Sequence, residues 1–177
     1  KDAAGKRTGR KSLIFGRRFV CTNLSEWNAA CGGGKEGKML KGIPKILSPE
    51  LLKVLCEMGH SDRLVIADGN FPAESMGKDA IVIRMDGHGV PEILDAILQV
   101  FPLDGYVEKP FCLMEVMPGD DVETPIWEVY AGIEEKYEPR GRQAIGQIER
   151  FAFYEEAKKA YAIIATGETA LYANVLL

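Results

Sequence analysis

Three short, unbroken apolar runs most constrain this fold: LVIA at 64–67, AIVI at 80–83 and AIIA at 162–165. Each suits a strand buried on both faces and falls far short of a membrane span. Between them the apolar residues recur at helical spacing. Ser48-Pro49-Glu50 reads as a helix start, with serine as cap, proline in the first turn and glutamate at the positive end of the dipole. Leu51, Leu52, Val54, Leu55 and Met58 then form one face, and Gly59 marks the stop, giving a helix over 49–58. Strands are expected at 80–84, 111–117, 145–148, 161–165 and 172–177, and helices at 90–101, after a Thr124 cap, and over 151–160. GNFPAESMG, after the first run, reads as a loop. Helices recurring between short apolar strands predict a compact, layered α/β single domain. The pattern leaves the strand order open.

Charge divides the chain. Residues 1–38 hold nine Lys/Arg against three Asp/Glu, whereas 39–177 hold thirteen against twenty-three. The first segment is expected to be a basic, flexible extension of uncertain origin, and 39–177 the folded domain. An acidic domain repels a nucleic-acid backbone, so no nucleic-acid or membrane partner is expected. Of four cysteines, Cys21 and Cys31 lie in the extension, and Cys56 and Cys112 lie within apolar patterns that predict buried free thiols. No CxxC pair is present, which points to a reducing, cytoplasmic setting.

The chemistry-bearing residues are few. There are two histidines, and histidine is the side chain best suited to exchange protons near neutral pH. His60 follows the first helix, and Asp68 ends the LVIA strand eight residues later. These two form the expected centre of the site, against the plainer reading that His60 caps its helix and Asp68 serves the following turn. His88, in DGHGV, reads as a surface turn. Two histidines without a ligand pattern argue against a metal, and GxGxxG, the phosphate loop and GxSxG are all absent, so no cofactor is expected. GGGKEGK has no strand before it and no Ser/Thr after its last lysine. In ERFAFYEEAKKAYAIIATGETALYANVLL, Arg150, Tyr154, Tyr172 and Asn174 supply donors and acceptors for a polar ligand. Glu155, Glu156, Lys158 and Lys159 read as a solvated helix face. Trp127 reads as a packing anchor; Trp27 falls in the extension.

Three stretches in order carry a resemblance: LKGIPKILSPELLKVLCEMGHSDRLVIADGNFPAESMG, ERFAFYEEAKKAYAIIATGE and LYANVLL. From Met39 onward the chain resembles the family of sugar mutarotases that includes the L-fucose enzymes and D-ribose pyranase, on the fucose side. The resemblance implies a compact α/β fold, cofactor-free exchange of sugar anomers by ring opening and closure, and homo-oligomers whose sites lie at subunit boundaries. It implies His60 as principal acid–base group, Asp68 and Tyr172 beside it, and substrate binding by Asp68, Arg150, Tyr154, Tyr172, Ala173 and Asn174. Ala173 stands where the family has glycine, which puts the local backbone geometry in question. The alternatives are ribose pyranase-like activity or a non-catalytic sugar-binding module.

Overall fold

The computed structural model describes residues 40–177, which form one compact unit. The expected extension, with Cys21, Cys31, Trp27 and GGGKEGK, lies outside the described residues. In chain order the elements are α1 (Pro49–Glu57), β1 (Leu64–Ala67), α2 (Ala73–Met76), β2 (Ile81–Met85), α3 (Val90–Leu98), β3 (Phe111–Met114), α4 (Pro125–Glu134), a 3-10 turn (Gly141–Ala144), β4 (Ile145–Ile148), α5 (Arg150–Ala157), β5 (Ala162–Thr166) and β6 (Val175–Leu176).

The strands form one sheet in the order β2-β5-β1-β6-β3-β4. β1, β2 and β5 run parallel, as do β3 and β4, while β6 is antiparallel to both β1 and β3. Five strands therefore point one way and β6 alone opposes them, at the centre. This layout collects the carboxyl ends of β1, β3, β4 and β5, together with the start of β6, along one edge.

Every residue of β1, β3 and β5 is buried, because helices cover both faces of the sheet. Leu64, Ile66, Leu113 and Ile164 pack with α1, α3 and α4. Their alternates Val65, Ala67, Cys112, Met114 and Ile163 pack with Phe153 and Ala157 of α5 and Ala73 of α2. The period of two along each strand thus feeds two cores, one per face. The layered α/β expectation holds.

Local departures have local causes. Ser48 caps α1 through its hydroxyl, which accepts from Leu51 N–H at 3.1 Å. Thr124 precedes α4 but makes no side-chain cap bond. Part of the expected 69–77 loop winds into the single turn α2. The strand expected over 172–177 is reduced to β6, because Tyr172 adopts a left-handed backbone (φ 52°). Cys112 is buried as expected, but Cys56 is exposed: Leu51, Val54 and Leu55 take the inward face of α1, and Cys56 falls on the other side. No helix among the described residues is long and apolar enough to cross a membrane.

Candidate active site

The carboxyl edge of the sheet carries a polar crevice of about 310 Å³. Its floor is Asp68, delivered by the stiff end of β1, and Asn174, which leads into the neighbouring β6. Asp68 is 7% exposed. The two residues lock reciprocally: the Asp68 backbone N–H donates to Asn174 Oδ1 at 2.9 Å, and Asn174 Nδ2 donates to Asp68 Oδ2 at 2.7 Å. Asn70 N–H donates to Asp68 Oδ1 at 3.0 Å. Burial pushes the Asp68 carboxyl above the ordinary aspartate range, opposed by hydrogen bonds from Asn70, Asn174 and Ala173. A carboxylate has about four acceptor sites, so Asp68 retains capacity for a ligand hydroxyl.

The walls come from other strand ends. Glu149 caps α5 by accepting Phe151 and Ala152 N–H at 2.9 and 3.0 Å, which sets Arg150 at the first helical position after β4. The Arg150 guanidinium lies 5.8 Å from the Tyr154 ring centre and 3.4 Å from Met117 Sδ. Tyr154 in turn packs on Phe71, with ring centres 5.6 Å apart. Tyr172, Asp120, Val122, Leu171 and Met114 complete the crevice. Apolar ring faces and a few converging polar groups are what a small polyhydroxylated ligand requires.

Tyr172 owes its position to α4. Trp127 Nε1 donates to Tyr172 O at 2.8 Å, and the buried Tyr130 hydroxyl donates to Ala173 O at 2.9 Å. A left-handed tyrosine costs about 1–2 kcal/mol, and these two bonds hold it there. The strained residue is Tyr172 rather than Ala173, so alanine in place of glycine at 173 sits without φ strain. Ala173 is fully buried in the core and meets the crevice through its backbone, which hydrogen-bonds the Asp68 carboxylate.

His60 is elsewhere. It precedes β1 while Asp68 follows it, and four strand residues alone span about 13 Å. A single-chain cluster of the two is therefore absent; the strand between them holds them at opposite ends of the sheet. The His60 side chain is 75% exposed and lies at the rim of a second hollow of about 350 Å³, with Asp62, Phe101, Leu103, Asp104 and Leu177. Its Nδ1 is 3.2 Å from Asp104 Oδ2, and the Tyr106 ring meets it edge-on at 5.2 Å between centres. Tyr106 N–H donates to Asp104 Oδ1 at 2.8 Å; that bond first, and His60 second, hold the Asp104 carboxyl below its ordinary range. The pair engages one imidazole nitrogen, Nδ1, of a largely exposed ring.

His88 Nδ1 meets Glu92 Oε1 at 2.9 Å at the start of α3, outside both hollows. Lys158–Glu155 and Lys159–Glu156 pair along the solvated face of α5. Sequence reasoning missed Asp120, Met117 and Asp104. Asp120 sat inside PGDD, which reads as a turn, and nothing local marks Asp104 as the partner of a histidine 44 residues away.

Residues 41–177 match the RbsD / FucU transport protein family. Fucose mutarotase from Homo sapiens is 50% identical over 142 residues, covering 78% of this chain and 91% of its own length. The crystal structure of FucU from Bifidobacterium longum is 71% identical, with a TM-score of 0.76 over 77% of this chain and 96% of its own. The fucose mutarotase of Streptococcus pneumoniae, solved in complex with L-fucose, is 48% identical, with a TM-score of 0.72 over 78% of this chain and 96% of its own. With a family match spanning the whole described domain, this chain belongs to the RbsD / FucU family.

Proposed function

We propose that residues 39–177 form a mutarotase domain that interconverts the α and β anomers of L-fucose, without a cofactor. The observation that carries this reading is the crevice built from Asp68, Asn174, Arg150, Tyr154 and Tyr172, in a chain about half identical to relatives named for that activity. Anomer exchange needs a proton removed from the anomeric hydroxyl and one delivered to the ring oxygen. The C1–O ring bond then opens to the aldehyde, C1 rotates, and closure on the other face reverses both transfers. No redox partner or activated phosphate enters.

The chain's own groups divide into two sets. Asp68 and Asn174 accept and donate to sugar hydroxyls from a rigid strand edge. Arg150 stabilises oxygens that gain negative character, and Tyr154 and Tyr172 offer ring faces and phenol oxygens. His60 is the principal proton exchanger, with Asp104 setting its tautomer. Because His60 projects outward at the other end of the sheet, the productive site joins His60 of one copy to the crevice of another. A homo-oligomer is thus part of the proposal. The exposed rings of Tyr106 and Phe151 and the exposed Leu171 sit beside the two halves and suit such a junction. Among the described residues Cys56 and Cys112 are free thiols, the first of them exposed, which suits a cytoplasmic location.

Saturation-transfer NMR tests the activity directly. Adding the protein to equilibrated L-fucose is expected to accelerate exchange between the two anomeric resonances. Unchanged exchange with retained binding would leave a sugar-binding module; faster exchange of D-ribose than of L-fucose would move the activity to the pyranase side.

A further inference from the structure

The turn after β3 converges on one phenol. Asp120 N–H donates to Met117 O at 3.1 Å, with Gly119 at φ 96° supplying the left-handed bend that closes it. That turn turns two groups toward Tyr172: Met117 N–H, which donates to the phenol oxygen at 3.4 Å, and the Asp120 carboxylate, which accepts the phenol hydrogen through Oδ2. Donor and acceptor thus meet the same hydroxyl, and its rotor is fixed. A phenol has one hydrogen and two lone pairs. Here the hydrogen is committed to Asp120 and one lone pair faces Met117, so one lone pair remains for the crevice.

We propose that Asp120 is a positioning residue that holds the Tyr172 phenol as a hydrogen-bond acceptor for a sugar hydroxyl. Tyr172 then takes a hydrogen bond from L-fucose and does not deliver a proton to it, which leaves proton delivery to the histidine half of the site. This deepens the mutarotase reading and rests on it for the identity of the sugar. Asp120 is also the main cause of the upward displacement of the Tyr172 phenol from its ordinary range, ahead of the other influences on it. The residue sits on an exposed turn outside both cores, so its replacement leaves the fold intact.

Two measurements on the full chain decide the matter. Ultraviolet titration of phenolate, with Tyr172→Phe subtracted to isolate one phenol, is expected to show Tyr172 ionising at lower pH in Asp120→Ala than in the wild type. Asp120→Asn, which keeps an acceptor oxygen but no charge, is expected to fall between. In anomer-exchange kinetics, Asp120→Ala is expected to raise KM for L-fucose about tenfold, the scale of one charged hydrogen bond, with kcat within about twofold. Asp120→Asn is expected to recover most of that loss. An unchanged Tyr172 titration in Asp120→Ala overturns the proposal, as does a kcat that falls while KM stays fixed. A wild type that fails to exchange L-fucose would sink the mutarotase reading, and the phenol titration would still decide what Asp120 does to Tyr172.

Discussion

The two ends of the sheet are built on opposite plans. At the carboxyl end, Asp68 and Asn174 are buried, doubly hydrogen-bonded to each other and mounted on adjacent central strands. At the amino end, His60 stands on a loop and is held by one carboxylate and the edge of one ring. The first end is preorganised for binding and the second is left open to solvent. A group that must reach a second copy has to project outward, whereas groups that read hydroxyls gain from being fixed and partly dry. On the proposed reading, the contrast lets one small domain carry both halves of an acid–base site without placing them side by side.

The largest expected effect tests whether the halves meet. His60→Ala is expected to slow L-fucose exchange by at least about 10²-fold, the usual scale of a positioned proton exchanger, with binding retained and stability changed by less than about 0.5 kcal/mol. Arg150→Ala is expected to impair the other half. Co-assembling the two variants is expected to restore part of the activity, because some junctions then pair an intact crevice with an intact histidine. A mixed assembly as inactive as its parents would show that His60 does not serve a neighbouring crevice.

At the binding end, the cost is structural as well as functional. Asn174→Ala removes both bonds that lock it to Asp68 and leaves a buried carboxyl short of a donor. A loss of about 2–3 kcal/mol by denaturant unfolding is expected, with weakened L-fucose binding. A stability change as small as that of His60→Ala would erase the distinction between the two ends.

How far the sequence foretold this arrangement follows from the range of the forces involved. Ser48, the LVIA run and the α3 stripe act on their own neighbours, so cap, strand and helix were legible. Asp68 was legible as a strand-end carboxylate, and the distance to His60 was implicit in the four-residue strand between them. Tyr172 was misread as strand because its backbone is bent by Trp127 and Tyr130, which lie more than forty residues away in the chain. The Asp104–His60 and Asp120–Tyr172 pairs were hidden for the same reason: each joins a turn to a residue that only the sheet order brings near.

Asp104→Asn probes the open end more gently. The amide keeps an oxygen for the His60 Nδ1–H but drops the carboxylate charge beside the ring. A fall in kcat of about tenfold is expected, with KM for L-fucose unchanged, since the crevice that binds the sugar is untouched. A rise in KM alone would place Asp104 in binding and blur the division between the two ends.

The smallest expected effect concerns a carboxyl that belongs to neither end. Glu134, at the end of α4, is fully buried, and neither of its side-chain oxygens has a hydrogen-bond partner. Burial pushes its pKa up to about 7, with Glu138 and Glu135 adding to the rise and Arg140 opposing it. Arg140 is itself spent on Glu138 Oε1 at 2.8 Å and on Val107 O at 2.7 Å, so it cannot turn to Glu134 without releasing the loop beside Asp104. The raised value fixes the sign. Below about pH 4.5 the group is protonated in both folded and unfolded chains and costs nothing through ionisation. As pH rises toward 7, the unfolded chain ionises first and the folded state loses stability relative to it; above 7 the loss is complete. Glu134→Gln removes that titration but leaves a buried amide with its own desolvation cost, so the net gain is about 1 kcal/mol at pH 8, shrinking toward pH 4.5. Urea unfolding of both proteins across that range reads the difference, and a gap that stays constant with pH would show that Glu134 does not titrate between the two states.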